Sequence, residues 1–314
     1  MQSCRELFVN PLLWTSHHFN LVGGQFVEMV DHPIQSTQDN TKTEENAKPP
    51  SDAELSATTP IPAVKSDAEL FARTPIPAAK HRRLVDILVG KGRAFAKYGK
   101  GPDFFFTGIP VHRPHCTVFY RHGQPDKHVD GPLLVGHLPY GHVKGGRTRL
   151  FQPCPDPRGR LNRIGAEICE KRVAQVTPTE WTEDPYFACV LLALAQLQER
   201  KLDLPNPTTY TSRLLVTSMR DHDSVYLYDA EITSELLGAL ARPKSATRHI
   251  KWPVIMRRKL PIKPYNTFPD RLAAELVAPS CFSRTSCTAS SDKLSAKRRR
   301  EGGSGSPHKM RRLL

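Results

Sequence analysis

From Tyr186 to Ala195 the chain reads YFACVLLALA, ten residues without a charge. That is well short of the ~20 apolar residues a membrane-spanning helix needs. Asp184 in front of it is a good N-cap, and Pro185 suits a first helical position, where its missing N–H costs nothing. The helix this predicts is apolar on nearly every side until Gln196, so the rest of the protein has to surround it. Glu199, Arg200 and Lys201 carry it into solvent, and Pro205 and Pro207 stop it.

The next forty residues read as a hairpin and a second helix. Arg213 to Arg220 is strand-like, and Asp221 to Ser224 make a polar turn. Val225 to Ile232 returns, with Val225, Leu227 and Asp229 on one face and Tyr226, Tyr228 and Ala230 on the other. Thr233 or Ser234 caps the last helix of the set, and Pro243 ends it. The fold class this predicts is α+β: a small mixed domain with a buried helix, a β-hairpin and a C-terminal helix, flanked by disordered ends.

Apolar residues make up 39 % of the 314, and there are 28 prolines, which favours one core of modest size with unstructured chain around it. The expected division is residues 1–81 mostly disordered, acidic and Pro-rich; 82–278 an α+β core; 279–314 a disordered basic tail. A tandem repeat lies in the first part. Residues 51–65 read SDAELSATTPIPAVK and 66–80 read SDAELFARTPIPAAK, identical at 12 of 15 positions. Two copies this short make no solenoid. They read as a low-complexity linker with Pro-Ile-Pro in polyproline II, or as a doubled docking peptide. His81 to Phe95 is helix-like, and Phe104 to Phe106 and Cys116 to Tyr120 read as strands. In the turn-dense residues 121–165, Leu133 to Val135 and Thr148 to Phe151 are the strand candidates. Ile164 to Ala174 and Phe268 to Val277 read as helices, and Ile250 to Met256 as an amphipathic edge strand.

The run Trp181-x-x-Asp184-Pro185-Tyr186, the Leu191 to Gln196 stretch, Tyr226-Leu227-Tyr228-Asp229-Ala230-x-Ile232 and Ile262-Lys263-Pro264-Tyr265-x-x-Phe268 form one pattern. Over about residues 180–275 it resembles uncharacterised proteins of filamentous fungi. It is a core-packing pattern without a catalytic motif, so the resemblance implies a fold unit and no activity.

Chemistry is thinly signalled. Seven cysteines, scattered and without a CxxC pair, point to reduced thiols in an intracellular compartment. His112, His115, Cys116, His122, His128, His137 and His142 are of the types zinc uses, yet their spacing matches no paired-ligand pattern. Asp229 and Glu231, with Glu167, Glu170 and Lys171 before them, are the acids a metal-dependent nuclease or hydrolase would use, the alternative reading of function. There is no GxSxG elbow and no full phosphate loop at Gly145-Gly146-Arg147. No cofactor, catalytic residue, metal ligand, small-molecule ligand or membrane partner is indicated.

The formal charge of +14 is unevenly spread. Residues 1–80 hold 6 Lys/Arg against 10 Asp/Glu; residues 281–314 hold 9 against 2. Lys297, Arg298, Arg299, Arg300, Lys309, Arg311 and Arg312 form two basic clusters of the kind a nuclear import receptor recognises. Residues 244–264 hold seven Lys/Arg and no acid. Within them Lys251, Trp252, Arg257, Arg258, Lys259 and Lys263 are the candidate nucleic-acid contacts, with Trp252 able to stack on a base unless it belongs to the core. The expectation is a non-enzymatic protein of the nucleus, with the cytoplasm as alternative, that binds protein partners or nucleic acid through its basic segments.

Overall fold

The computed structural model describes residues 9–29, 66–122, 134–201, 209–245, 250–280 and 282. Nine strands and eight α-helices are found among these residues. The strands are β1 (Gln25–Glu28), β2 (Phe95–Lys100), β3 (Phe104–Phe106), β4 (Ile109–His112), β5 (Thr117–Arg121), β6 (Leu134–Pro139), β7 (Thr209–Thr217), β8 (Ser224–Thr233) and β9 (Val254–Pro261). The helices are α1 (Ser16–Leu21), α2 (Asp67–Arg73), α3 (Pro77–Leu88), α4 (Gly141–Leu150), α5 (Arg163–Val176), α6 (Tyr186–Lys201), α7 (Ser234–Ala241) and α8 (Phe268–Val277).

Seven strands make one mixed sheet in the order β1-β9-β8-β7-β6-β5-β2, and β3 pairs with β4 as a separate hairpin. Within the described sheet, β1/β9 and β6/β7 are the parallel strand pairings. Alternate residues of each strand feed two cores, one on each face. Helix α6 lies on the first, packed with α7, the β3–β4 hairpin, Trp14 and Phe19 against Leu214, Val216, Tyr228 and Ile255. The second holds α2, α3 and α8 against Phe119, Val135, Leu215, Val225 and Leu227. The α+β expectation therefore stands. The hairpin faces fall as the alternation predicts, with Val225 and Leu227 in one core and Tyr226, Tyr228 and Ala230 in the other.

Every residue of α6 from Tyr186 to Gln198 is buried. Its start is fixed by Asp184, whose Oδ1 accepts the Tyr186 N–H at 3.0 Å. Its polar end is matched too: Gln196 clamps both backbone groups of Phe105, at 2.9 and 2.8 Å, and Gln198 donates to the Thr211 carbonyl. Thr233 caps α7, its Oγ1 accepting the Leu236 N–H.

Four expectations need correction. The folded region reaches well before residue 82: β1 pairs with β9, Trp14 and Phe19 are buried, and α2 begins at Asp67. The second repeat copy is α2 and the first turn of α3, not a linker. Phe71 stands where the first copy has Ser56, and it is fully buried, stacked on Phe268 at 6.0 Å. That one aromatic anchors a segment whose composition alone argues against order; the first copy lies outside the described residues. Thr148 to Leu150 end a helix instead of forming a strand. Three glycines in α4 make a poor helix by propensity, but Gly146 lets α4 approach Leu12, where a Cβ would sit 3.1 Å from its side chain. Finally, β9 is flanked by β1 and β8, so it is an interior strand and not an edge.

Candidate functional site

Two places gather side chains that a packed core does not require. The first is a polar cluster at the carboxyl ends of the parallel pair β6/β7, a usual position for ligand sites in open sheets. His137 on β6 is 1 % exposed, and its Nε2 lies 3.0 Å from Thr217 Oγ1. Its Nδ1 meets Nδ1 of His81, from α3, at 3.2 Å. The ring planes agree within 1° with centroids 5.3 Å apart, so the imidazoles meet edge to edge and one Nδ1–H donates to the other. His81 Nε2 lies 3.5 Å from Thr117 Oγ1. Beside them Lys80 is buried, donating to the Ser218 carbonyl at 3.4 Å and standing 5.1 Å over the Phe71 ring. Burial pushes the pKa of His137 well down, and the cationic forms of His81, His142 and Lys80 add to this. Burial also lowers His81 and Lys80, the latter against the pull of Asp221. The pair is thus neutral, a chain of exchangeable protons from Thr117 to Thr217.

The second is the arm formed by α4, α5 and the loop between them. Asn162 caps α5, its side chain accepting the Gly165 N–H at 2.8 Å. Cys169 Sγ donates to the Thr148 carbonyl, and the Arg172 guanidinium lies 5.9 Å over the Phe151 ring, tying α5 to the end of α4. Cys169 is the one buried residue of α5. Ile164 is 74 % exposed and Ile168 48 %, a spacing of four that puts them on one side of α5, and Leu161, 76 % exposed, lies in the loop just before the Asn162 cap. Leu150 is 44 % exposed at the end of α4. Lys144, Arg149, Arg158, Arg160, Arg163, Lys171 and Arg172 are all exposed on this arm. Against them stand Glu167, Glu170 and Asp156, the last already accepting from the Arg158 and Arg160 backbone and paired with the Arg160 side chain at 3.6 Å.

The remaining arginines of α4 and β7 are used inside. Arg147 makes a two-pronged pair with Asp184, at 2.6 and 2.8 Å, and its Nε donates to the Leu12 carbonyl. Tyr140 donates to the same carboxylate. Arg213 grips Asp229 at 2.5 and 3.0 Å and also donates to the Glu275, Leu276 and Ala278 carbonyls at the end of α8. These pairs staple helices to the sheet.

The residues singled out in the sequence are dispersed. Trp252 is buried against Phe19. Arg257 pairs with Glu28 and Glu183 and donates to Thr182; Arg258 is buried and pairs with Glu275. Lys259 pairs with Asp221 at 3.7 Å and lies over Tyr226. Lys263 stands 3.6 Å from Asp223, both largely exposed, and Lys251 is exposed. The stretch is continuous in sequence but not a continuous free cationic face. Lys297 to Arg300, Lys309, Arg311 and Arg312 lie outside the described residues. Asp229 is taken by Arg213, Glu231 is half-buried on β8, and Glu167 and Glu170 are exposed on α5; among the described residues no three such acids are placed to hold a metal ion.

Of the histidine candidates, His112 is hydrogen-bonded through Nε2 to the Tyr186 hydroxyl at 2.8 Å, and burial, helped by His115, lowers it to about 4. His115 packs on His142, and His122 on Tyr120. His128 lies outside the described residues. Among the described residues no group of three or more His, Cys, Asp or Glu is placed to hold a metal ion. Burial raises the Cys116 thiol to about 12 and Cys189 well above its ordinary value, so neither yields a ready thiolate. No described helix is long and apolar enough to cross a membrane. Sequence reading misses Lys80, His81 and the exposed face of α5; the i, i+4 isoleucines are legible as a helix, but their exposure is not. Comparison with protein-family models, curated proteins and solved structures finds no match for this chain.

Proposed function

We propose that this protein works in the nucleus by binding other proteins through a basic surface and catalyses no reaction itself. The observation that supports it is the α4–α5 arm, where seven exposed cations and uncovered aliphatic side chains lie on the same two helices and the loop between them. Isolated exposed aliphatics are ordinary, but a set on one helix face rimmed by charge has the character of an interaction site. Protein is favoured over nucleic acid because Trp252 is packed in the core and Arg257, Arg258 and Lys259 are engaged with Glu28, Glu183, Glu275 and Asp221. A nucleic-acid groove would leave such groups free for phosphates and bases.

The test is quantitative co-purification with the full-length chain and with a variant carrying Arg163→Glu, Lys171→Glu and Arg172→Glu. The reading expects acidic proteins recovered with the native chain to fall at least fivefold with the variant, at unchanged thermal stability. Equal recovery, or recovery dominated by nuclease-sensitive nucleic acid, contradicts it.

A further inference from the structure

Resting on that binding reading, we infer that the face of α5 bearing Ile164 and Ile168, with Leu161 just ahead of its cap, is a docking site for a short acidic amphipathic segment of a partner protein. Ile164 and Ile168, one turn apart on α5, offer an apolar ridge of the kind an opposing helix meets with its own i, i+3 and i+4 residues. Lys171 and Arg172 follow Ile168 at its C-terminal end, three and four positions on, so the ridge runs into a cationic margin. Arg172 is held by its contact with the Phe151 ring, at the junction of α5 with the end of α4.

The charge argues for the occupant. A second copy of the same helix brings Arg163, Lys171 and Arg172 with only Glu167 and Glu170, a poorer match for this margin than an acidic segment. An anionic membrane suits the cations, but interfacial helices keep a strongly basic polar face, and here Glu167 and Glu170 share that face with Arg163. A partner segment with two or three aliphatic anchors and Asp or Glu toward its end matches both the ridge and its margin. Apolar anchors give such a complex its affinity, and the charges its orientation and salt-dependent on-rate.

The experiment is selection from a displayed library of random 12-residue peptides, with the full-length protein as bait and an Ile164→Ser/Ile168→Ser variant as counter-bait. Both positions are exposed, so the variant is expected to unfold at the same temperature as the native chain, which is checked first. Enriched peptides are expected to carry aliphatic residues three or four apart beside Asp or Glu. Their synthetic versions are expected to bind the native chain at least tenfold more tightly than the variant. Lys171→Glu/Arg172→Glu is expected to weaken them further as salt is lowered. No enrichment, enrichment of basic or wholly polar peptides, or equal affinity for both baits overturns the site. Binding to phosphatidylserine vesicles that the serine substitutions abolish, without peptide enrichment, overturns it in favour of lipid. If the site fails while the charge-reversal co-purification effect persists, the binding reading survives with its surface elsewhere.

Discussion

Asp184 is a fully buried carboxylate held by three protein donors: the Arg147 fork, the Tyr140 hydroxyl and the Tyr186 amide. A buried charge in such a net is strongly destabilising once its partner is gone, and much less so when both are replaced. Asp184→Ala is therefore expected to cost about 3–5 kcal/mol, and Arg147→Leu/Asp184→Leu clearly less than that, read from urea midpoints. A loss below about 1 kcal/mol for the single change would show that the pair is not holding α4 to the start of α6. Protons act on the same scale. His112 and His137 are held neutral, their pKa values lowered by burial, to about 4 for His112. The unfolded chain then binds more protons than the folded one below the ordinary value of 6.5, so stability rises with pH in that window. It is fully present above about 6.5 and is lost as the pH falls toward about 4. The midpoint of urea unfolding should drop between pH 7 and 5, and His112→Gln should flatten that slope; a slope untouched by the substitution would mean other groups carry it.

At the scale of elements, the legible parts are those whose signal is local. The all-round apolar run of α6, the two-residue alternation of β8 and the cap at Thr233 are each written in neighbouring residues. The missed parts are decided by residues far away in sequence. Helix α4 forms against its three glycines because Arg147 finds Asp184 and Gly146 finds Leu12. Arg257 and Arg258 read as a free basic stretch because their partners Glu28 and Glu275 are set by strand order, which no local pattern discloses. The α5 ridge is half legible: periodicity marks an apolar side but not whether anything covers it. The repeat isolates the same point in one position. Phe71→Ser makes the second copy resemble the first and is expected to free α2 from the sheet, at a cost of about 3–5 kcal/mol. Limited proteolysis should then cut between residues 66 and 76; a chain as resistant as the native one would place the anchor elsewhere, in Ala68, Ala72 or Leu84.

Across the whole molecule, a sequence charge of +14 splits into uses that composition cannot separate. Some cations are structural, clamped on Asp184, Asp229, Glu28 and Glu275. Others are exposed on one arm, and a third set lies in the C-terminal clusters. A fluorescent fusion is expected to accumulate in nuclei and to lose that bias when residues 297–312 are removed; an unchanged distribution would reject import through this tail. The central claim, binding through the α4–α5 arm, is tested most directly by site-specific photo-crosslinking of the full-length chain. A photoreactive phenylalanine at position 168 should give discrete adducts with acidic proteins, and the same group at Tyr98, exposed on β2, should give few. Adducts equal in yield at the two positions, or none at 168, would contradict it.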